Sequence, residues 1–370
     1  MSAPDRSSPL LTIDLDAIAR NWLALVARSG PATTPGAGLV ETAAVVKADA
    51  YGCGLEPVAR TLWEEGCGTF FVATLAEGVT VRTLLADEAD IFILNGVEGD
   101  SAREARARRL IPCLNAPHQV TAWREAGGGP CALQLDSGMG RLGVQPGDLK
   151  SLLYAERETL TRCVLVLSHL ACADEPEHPQ NEAQRARFDA LLPLVRTVAP
   201  NFRASLAATG GTLLGAEYHY DLVRCGIGLY GGFPFTDAEP VVTLTAPIIQ
   251  IRTVPAGMNI GYGASWTATR PSRIATLPLG YADGFHRSLS NATHVWIDGR
   301  PAPLAGRVSM DLLTIDVTDH PGVTEDSTVE IIGPHRPIDM LATDAKTIGY
   351  EMLTALGTRY ERRYKGAEFN

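Results

Sequence analysis

The sequence lacks the marks of several protein classes. No stretch of about 18 uncharged apolar residues occurs in the 370-residue chain, so a membrane-spanning helix is not expected. There is no C-x-x-C pair. The seven cysteines (Cys53, Cys67, Cys113, Cys131, Cys163, Cys172 and Cys225) are odd in number and scattered, which argues against a disulfide framework and a zinc knuckle. All of them precede residue 226, a skew that hints at two halves of different character. Positive charge is not in excess: 32 Lys+Arg stand against 42 Asp+Glu, a net charge of −10. Neither nucleic acid nor an anionic membrane surface gains from that field, and neither is expected as a partner. Met1–Pro9 is polar, with no apolar core, so no targeting segment is expected and the cytoplasm is the default compartment. His118, His178, His219, His286, His294, His320 and His335 show no metal-ligand spacing, so no metal is expected and most are read as surface residues.

What is present is an ordinary globular composition, 45% hydrophobic and 20% charged, on a chain long enough for two domains. Leu10–Leu15 alternates like a strand, and helical spacing follows to Arg28 with Asp16 as the expected N-cap. Ser29–Gly38 reads as a loop. Short apolar runs then begin near Ala43, Thr69, Asp90, Leu110, Cys131, Cys163, Arg203 and Leu222, most flanked by helical patterns. They are apolar on both faces, as parallel strands covered by helices must be. About eight such units match a (β/α)8 barrel, although a doubly wound sheet alternates in the same way. No G-x-G-x-x-G opens the first unit, which weakens the dinucleotide-binding version. Past Gly232-Phe233-Pro234 the texture changes. Val241–Thr253, Ser272–Leu279, His294–Asp298, Leu312–Val317 and Thr328–Gly333 read as strands, and a helical pattern returns only near Ile338–Leu356. The expected fold is α/β plus mostly-β: a barrel over 16–235, then a β-rich domain over 236–370.

In a barrel, chemistry sits at the C-terminal ends of the strands. Lys47 ends the first run, after Val45 and Val46. Burial lowers a lysine pKa, and a partly neutral amine is a nucleophile toward carbonyl carbon. A plain pairing with Asp49 explains the same residues equally well. Thr209-Gly210-Gly211 and Gly226-Ile227-Gly228 end the last two runs, where barrels often cradle phosphate with backbone N–H groups. Alone, such glycines more often make only tight turns. Together with the lysine they suggest pyridoxal phosphate on Lys47.

The motifs then converge. AVVKADAYGCG (44–54), DSGMGRLG (136–143), SHLACADE (168–175), LVRCGIGLYG (222–231), GYGASWTA (261–268), LPLGYADGFHR (277–287), GRVSMDLLTID (306–316) and GYEMLTAL (349–356) occur in order across nearly the whole chain. In this the sequence resembles the alanine racemase family, the fold-type III pyridoxal-phosphate enzymes. The resemblance implies interconversion of L- and D-alanine, supplying D-alanine for peptidoglycan, with pyridoxal 5'-phosphate as cofactor and a homodimer as the working unit. It implies that Lys47 holds the cofactor and is the base on one face of the substrate carbon. Tyr262 is then the base on the opposite face, contributed by the partner subunit. His169 lies behind that tyrosine and couples to Arg224, which donates to the ring nitrogen. Tyr51, Thr209, Gly226, Ile227 and Tyr350 hold the phosphate. Arg141 and the backbone N–H of Met310 take the substrate carboxylate. Tyr281 narrows the entrance, Asp174 and Arg287 lie further out, and Asp136 and Asp311 are hydrogen-bonding supports. The strand at 10–15 is expected to join the second domain.

The chemistry agrees with these roles. Two bases on opposite faces move a proton across a carbon without either one swinging, each acting as acid when the other is base. Free Lys and Tyr both titrate near pH ~10, so both need tuning: the lysine by burial, the tyrosine by a cationic imidazole or guanidinium network. Arg224 is always charged and donor-only, so it favours an unprotonated ring nitrogen and weakens the ring as an electron sink. Outside the family context a salt bridge at the barrel rim is the simpler reading of Arg224. Cys53 stands where the family often has His and is read as a buried filler. Gln134 stands where many members carry a carbamylated lysine. It is neutral, and its amide oxygen is expected to orient Arg141. Ala208 and Ser309 depart from the common Asn and Cys. Rival readings are a broader-specificity amino-acid racemase, a decarboxylase of the same barrel type, which Arg224 argues against, and a non-catalytic pyridoxal-phosphate carrier, which the second domain argues against.

Overall fold

The computed structural model describes residues 8–30, 38–85 and 87–366. Most of the expected polar opening, most of the expected 29–38 loop and the last four residues of the expected second domain lie outside these.

The chain begins with β1 (Leu10–Asp14), which passes directly into the helix Leu15–Ser29. The cap of that helix is Asp14, not Asp16: the Asp14 Oδ1 accepts the Ala17 N–H at 2.9 Å. Asp16 sits in the first turn, where its charge favours the helix dipole without bonding a free N–H.

Eight strands follow, one for each apolar run: β2 (Glu41–Val45), β3 (Thr69–Val72), β4 (Asp90–Ile93), β5 (Ile111–Leu114), β6 (Cys131–Gln134), β7 (Cys163–Leu167), β8 (Arg203–Ser205) and β9 (Leu222–Cys225). They form one parallel sheet in the order β8-β7-β6-β5-β4-β3-β2-β9. The two ends of that order meet. Arg224 donates its N–H to Ala207 O at 3.0 Å, Ser205 Oγ donates to Leu222 O at 2.6 Å, and Ala208 bridges to Arg224. The sheet is therefore a nearly closed (β/α)8 barrel rather than a doubly wound sheet. Strands such as β3 and β5 are buried at every position because side chains fill the inside and helices cover the outside.

The second half is β-rich. A six-stranded sheet runs β16-β15-β18-β10-β1-β19, built from β10 (Val242–Pro247), β15 (His294–Ile297), β16 (Arg300–Pro303), β18 (Thr328–Ile332) and β19 (Glu361–Lys365) around β1. A three-stranded sheet joins β11 (Gln250–Val254), β14 (Ser272–Leu277) and β17 (Leu313–Asp316), and β12 (Asn259–Ile260) pairs with β13 (Trp266–Thr267). The single run expected over 241–253 is two strands in different sheets, split at Ile248-Ile249. β16, β19 and the short β12–β13 pair were not anticipated, because prolines, charges and brevity hide their alternation. The helical region is two helices, Ile338–Ala345 and Gly349–Thr354.

β1 lies between β10, antiparallel, and β19, parallel. Asn21 ties the first helix to the link between the halves: its amide donates to Leu229 O and Glu239 O and accepts the Glu239 N–H at 2.7 Å. Asp14 also pairs with Lys365 at 2.7 Å, joining the two ends of the described chain. Burial raises the Asp14 carboxyl, but the Lys365 ammonium and the Ala17 N–H outweigh it and hold it below its ordinary 3.8. A depressed folded-state pKa gives stability above the unfolded value that fades as pH falls through the folded one. Asp14→Ala should therefore lower unfolding stability by about 1 kcal/mol near neutral pH. The deficit should begin to shrink below pH ~4, where the unfolded chain protonates, and vanish as pH falls through the lower folded value. Urea melts at pH 7 and pH 3 check both.

Candidate active site

A cavity of about 530 Å³ opens at the C-terminal ends of the barrel strands. Lys47, Tyr51, Gln134, Arg141, His169, Asp174, Thr209, Arg224, Gly226, Ile227 and Tyr350 all line it. Leu94, Asn95, Ser168, Ala173 and Pro234 line it too. None of these carries a site role in the sequence reading, although Ser168 and Ala173 lie within SHLACADE (168–175) and Pro234 marks the change of texture. The rule that strand ends carry function would have flagged Asn95 and Ser168.

Lys47 leaves the barrel just after β2. The next four residues, Ala48, Asp49, Ala50 and Tyr51, have φ between 52° and 55°. Each non-glycine residue held in that region costs about 1 kcal/mol or more, so the surroundings must impose it. They do: Glu77 Oε1 accepts the Ala48 N–H at 2.8 Å while its Oε2 accepts Ala73 N–H at 2.7 Å. Asp49 Oδ1 accepts Leu55 N–H at 2.7 Å, and Arg362, from β19, donates to Gly52 O at 2.9 Å. Asp49 is thus engaged with Leu55 and, at 4.0 Å, Arg362, so the simple Lys47–Asp49 pairing is not formed. The tight left-handed turn places Lys47 and Tyr51 on the same cavity. Burial, followed by the nearby Arg141 and Arg224 charges and against the pull of Glu77, holds the Lys47 amine below its ordinary 10.5.

Arg224 is 3% exposed and forms no ion pair among the described residues, so the salt-bridge reading is not supported. Its Nη1 donates to Ser205 O and Oγ, and its Nη2 to Ser168 O at 2.6 Å and to Leu206 O. His169 Nδ1 lies 3.4 Å from Nη2. Burial lowers the guanidinium to about 10, leaving it cationic at neutral pH. Of its donors, Nε has no partner among the described residues. Burial first, then the charges of Arg224, Arg141 and Lys47, push the His169 imidazole down to about 3. It is therefore neutral, and the cationic imidazole expected from the sequence is replaced by guanidinium charge alone.

The opposite wall has the features of a phosphate cradle. Thr209 Oγ1 accepts N–H groups from Gly226 at 3.0 Å and Gly228 at 3.3 Å, which leaves its own O–H to donate into the cavity. Gly226 contributes space rather than a donor: a Cβ there would stand 2.4 Å from the Tyr51 hydroxyl. Tyr51 stacks on Tyr230 at 4.6 Å and lies 6.0 Å from Tyr350. Burial raises both phenols well above their ordinary range, so Tyr51 and Tyr350 stay neutral donors.

Arg141 lines the same cavity and makes no hydrogen bond or ion pair with any described residue. Asp136 Oδ1 accepts three successive N–H groups, from Gly138, Met139 and Gly140, and so shapes the loop that carries it. Gln134 is 7% exposed and donates to Leu142 O at 3.4 Å. No bond joins it to Arg141, so the expected direct orientation by its oxygen is absent.

Other expected site residues lie outside the cavity, among them the exposed Arg287. Tyr262 (69% exposed), Tyr281 and Met310 are on the surface of the second half and do not line the cavity. Met310 and Tyr281 sit on touching loops, with Ser309 O accepting the Tyr281 N–H at 3.0 Å. Asp311 pairs with Arg359 at 2.7 Å. Cys53 is fully buried, with its thiol pushed up to about 12 by burial, in keeping with a filler. His219 is buried between two backbone carbonyls rather than on the surface.

No helix among the described residues is long and apolar enough to cross a membrane, and none of them forms a group of three or more His, Cys, Asp or Glu fit for a metal.

Residues 13–234 match the family description "Alanine racemase, N-terminal domain", and residues 241–364 match "Alanine racemase, C-terminal domain". An alanine racemase of Jannaschia sp. is 50% identical over 95% of this chain and 97% of its own length. One from Rhodospirillum rubrum is 46% identical over 99% and 98%. Among solved structures, alanine racemase from Bartonella henselae with covalently bound pyridoxal phosphate superposes with a TM-score of 0.88, at 35% identity, covering 96% of this chain and 99% of that one. The biosynthetic enzyme of Pseudomonas aeruginosa gives 0.86 at 37% identity, covering 97% and 99%. With both halves matched in order and the barrel-end cavity in place, the chain belongs to the alanine racemase family.

Proposed function

We propose that the protein interconverts L- and D-alanine with pyridoxal 5'-phosphate as cofactor, in the cytoplasm, and that the D-alanine serves peptidoglycan assembly. The observation that carries this reading is one cavity lined by both a lysine amine of lowered pKa and a buried arginine whose Nε has no partner among the described residues. What pyridoxal phosphate supplies when bound is electron withdrawal from the substrate carbon. The residues fit it. Lys47 Nζ would bond the cofactor, Arg224 Nε would donate to the ring nitrogen, and the hydroxyls of Thr209, Tyr51 and Tyr350 with the Ile227 N–H would hold the phosphate.

Because Arg224 stays cationic and can only donate, it keeps a proton off that nitrogen and moderates the withdrawal. Side reactions that need a full electron sink are thereby restrained. Arg141, uncompensated by any carboxylate, would take the substrate carboxylate. Lys47 Nζ moves the proton on one face of the carbon, and the lowered pKa shifts the amine toward the neutral form that accepts it.

The second base is Tyr262. It stands outside its own chain's cavity, so it serves the cavity of a second copy. Tyr262, Met310, Tyr281 and Leu312 are all exposed, and such an apolar surface is covered when two copies associate. Residues 16–235, together with Tyr350, then hold the cofactor, while the second half, with the strand at 10–15, presents Tyr262 and Met310 to the partner.

Two experiments test this. The chain has only four lysines, and Lys150, Lys346 and Lys365 are exposed. The purified protein should be yellow, and borohydride followed by peptide mapping should place the cofactor on Lys47. A label on any other lysine overturns the assignment, and Lys47→Ala should lose racemisation, read as circular dichroism of L-alanine. The shared site is tested by mixing. Lys47→Ala and Tyr262→Phe subunits, each inactive alone, should regain activity when reassociated, because one of the two sites then has both bases. No recovery on mixing would mean that both residues serve the same chain's site.

A further inference from the structure

The helix Pro179–Arg196 lies behind the cavity without touching it, and its buried face changes character along its length. Its second half buries Phe188, Leu191, Leu192 and Val195, as an amphipathic helix should. Its first two turns bury amides instead, Asn181 at 1% exposure and Gln184 at 0%. A buried amide stabilises only through the bonds it makes. Those bonds all go to the two loops that carry the site.

Gln180 Nε2 donates to Gly138 O at 2.8 Å and Arg187 Nη1 to Ser137 O at 3.3 Å, gripping the loop that ends in Arg141. Asn181 donates to Cys172 O and Glu175 O, on either side of Asp174. Gln184 reaches both loops. It donates to His169 O at 2.8 Å, accepts the Ala171 N–H at 2.8 Å and lies 3.4 Å from Ser137 Oγ. Ser137 Oγ in turn meets Ser168 Oγ at 2.8 Å, and Ser168 O takes the Arg224 guanidinium.

We propose that Gln184 is a positioning residue that sets the Arg141 loop in register with the His169–Arg224 pair, with Gln180 and Arg187 steadying the Arg141 side alone. Through it, the group that takes the substrate carboxylate and the group that faces the cofactor ring keep a fixed separation. This rests on the roles given above to Arg141 and Arg224.

The test uses the cofactor-loaded enzyme, with rates expressed per bound cofactor. Gln184→Met keeps the bulk and removes the bonds. It should raise KM for alanine about ten-fold and also shift the pH midpoint of the cofactor's visible absorption, because both loops move. The double variant Gln180→Leu/Arg187→Met changes side chains at the helix surface. It should raise KM about three-fold and leave the absorption midpoint in place. A Gln184→Met enzyme with unchanged KM and unchanged midpoint overturns the proposal. If that variant does not fold, the double variant decides, and an unchanged KM there overturns it. Arg141→Met separates the two levels. If it leaves KM unchanged, the carboxylate role fails; if it raises KM while the helix variants do not, only the role of Gln184 fails.

Discussion

A buried guanidinium with no carboxylate partner among the described residues governs this site. Taking Arg224 out of water is expensive, and the structure compensates it with carbonyl oxygens of Ser168, Ser205 and Leu206 and the Ser205 hydroxyl. Those oxygens come from the ends of β7 and β8, so the need to solvate one charge draws the strand ends together where the barrel closes. The same charge reaches the other titratable groups. It helps push His169 down to about 3 and lowers Lys47. Had Arg224 been paired with an acid, as a rim salt bridge would be, its own share of both shifts would be offset and burial would remain as their main cause.

The barrel alone does not complete the cavity. The left-handed turn after Lys47 is steadied from within the barrel by Glu77 and from β19 by Arg362. Tyr350, from the helix Gly349–Thr354, supplies part of the cavity wall. Asp339 accepts the Phe233 N–H at 2.9 Å, which links the neighbouring helix to the segment carrying Pro234. The β-rich half is therefore a structural part of the site as well as the proposed bearer of the second base.

The divide between the two proposed bases is physical. Lys47 is recessed, and burial first, then the Arg141 and Arg224 charges, lower it. Tyr262 is solvent-exposed in its own chain, and only a covering surface would change its surroundings. A two-base exchange built this way would tie chemistry to association, since Tyr262 does not line its own chain's cavity.

Much of this was legible in the amino-acid order. Eight two-sided apolar runs were eight barrel strands, because parallel strands buried on both faces leave no polar alternation. Lys47, the late glycines and Arg224 marked the cavity, because barrel chemistry gathers at strand ends. The second half was legible only in part: prolines and charges masked β16 and β19, whose strand character comes from their partners. Tertiary structure alone decided between a barrel and an open sheet, since the local rhythm is the same and only the β8–β9 closure differs. It alone put Asp49 on Leu55 and Arg362 rather than on Lys47, and Gln134 on Leu142 rather than on Arg141. It alone made His169 neutral and brought Gln184 behind the site. Pairing, burial and charge at these positions depend on residues tens to hundreds of places away, and no local pattern encodes them.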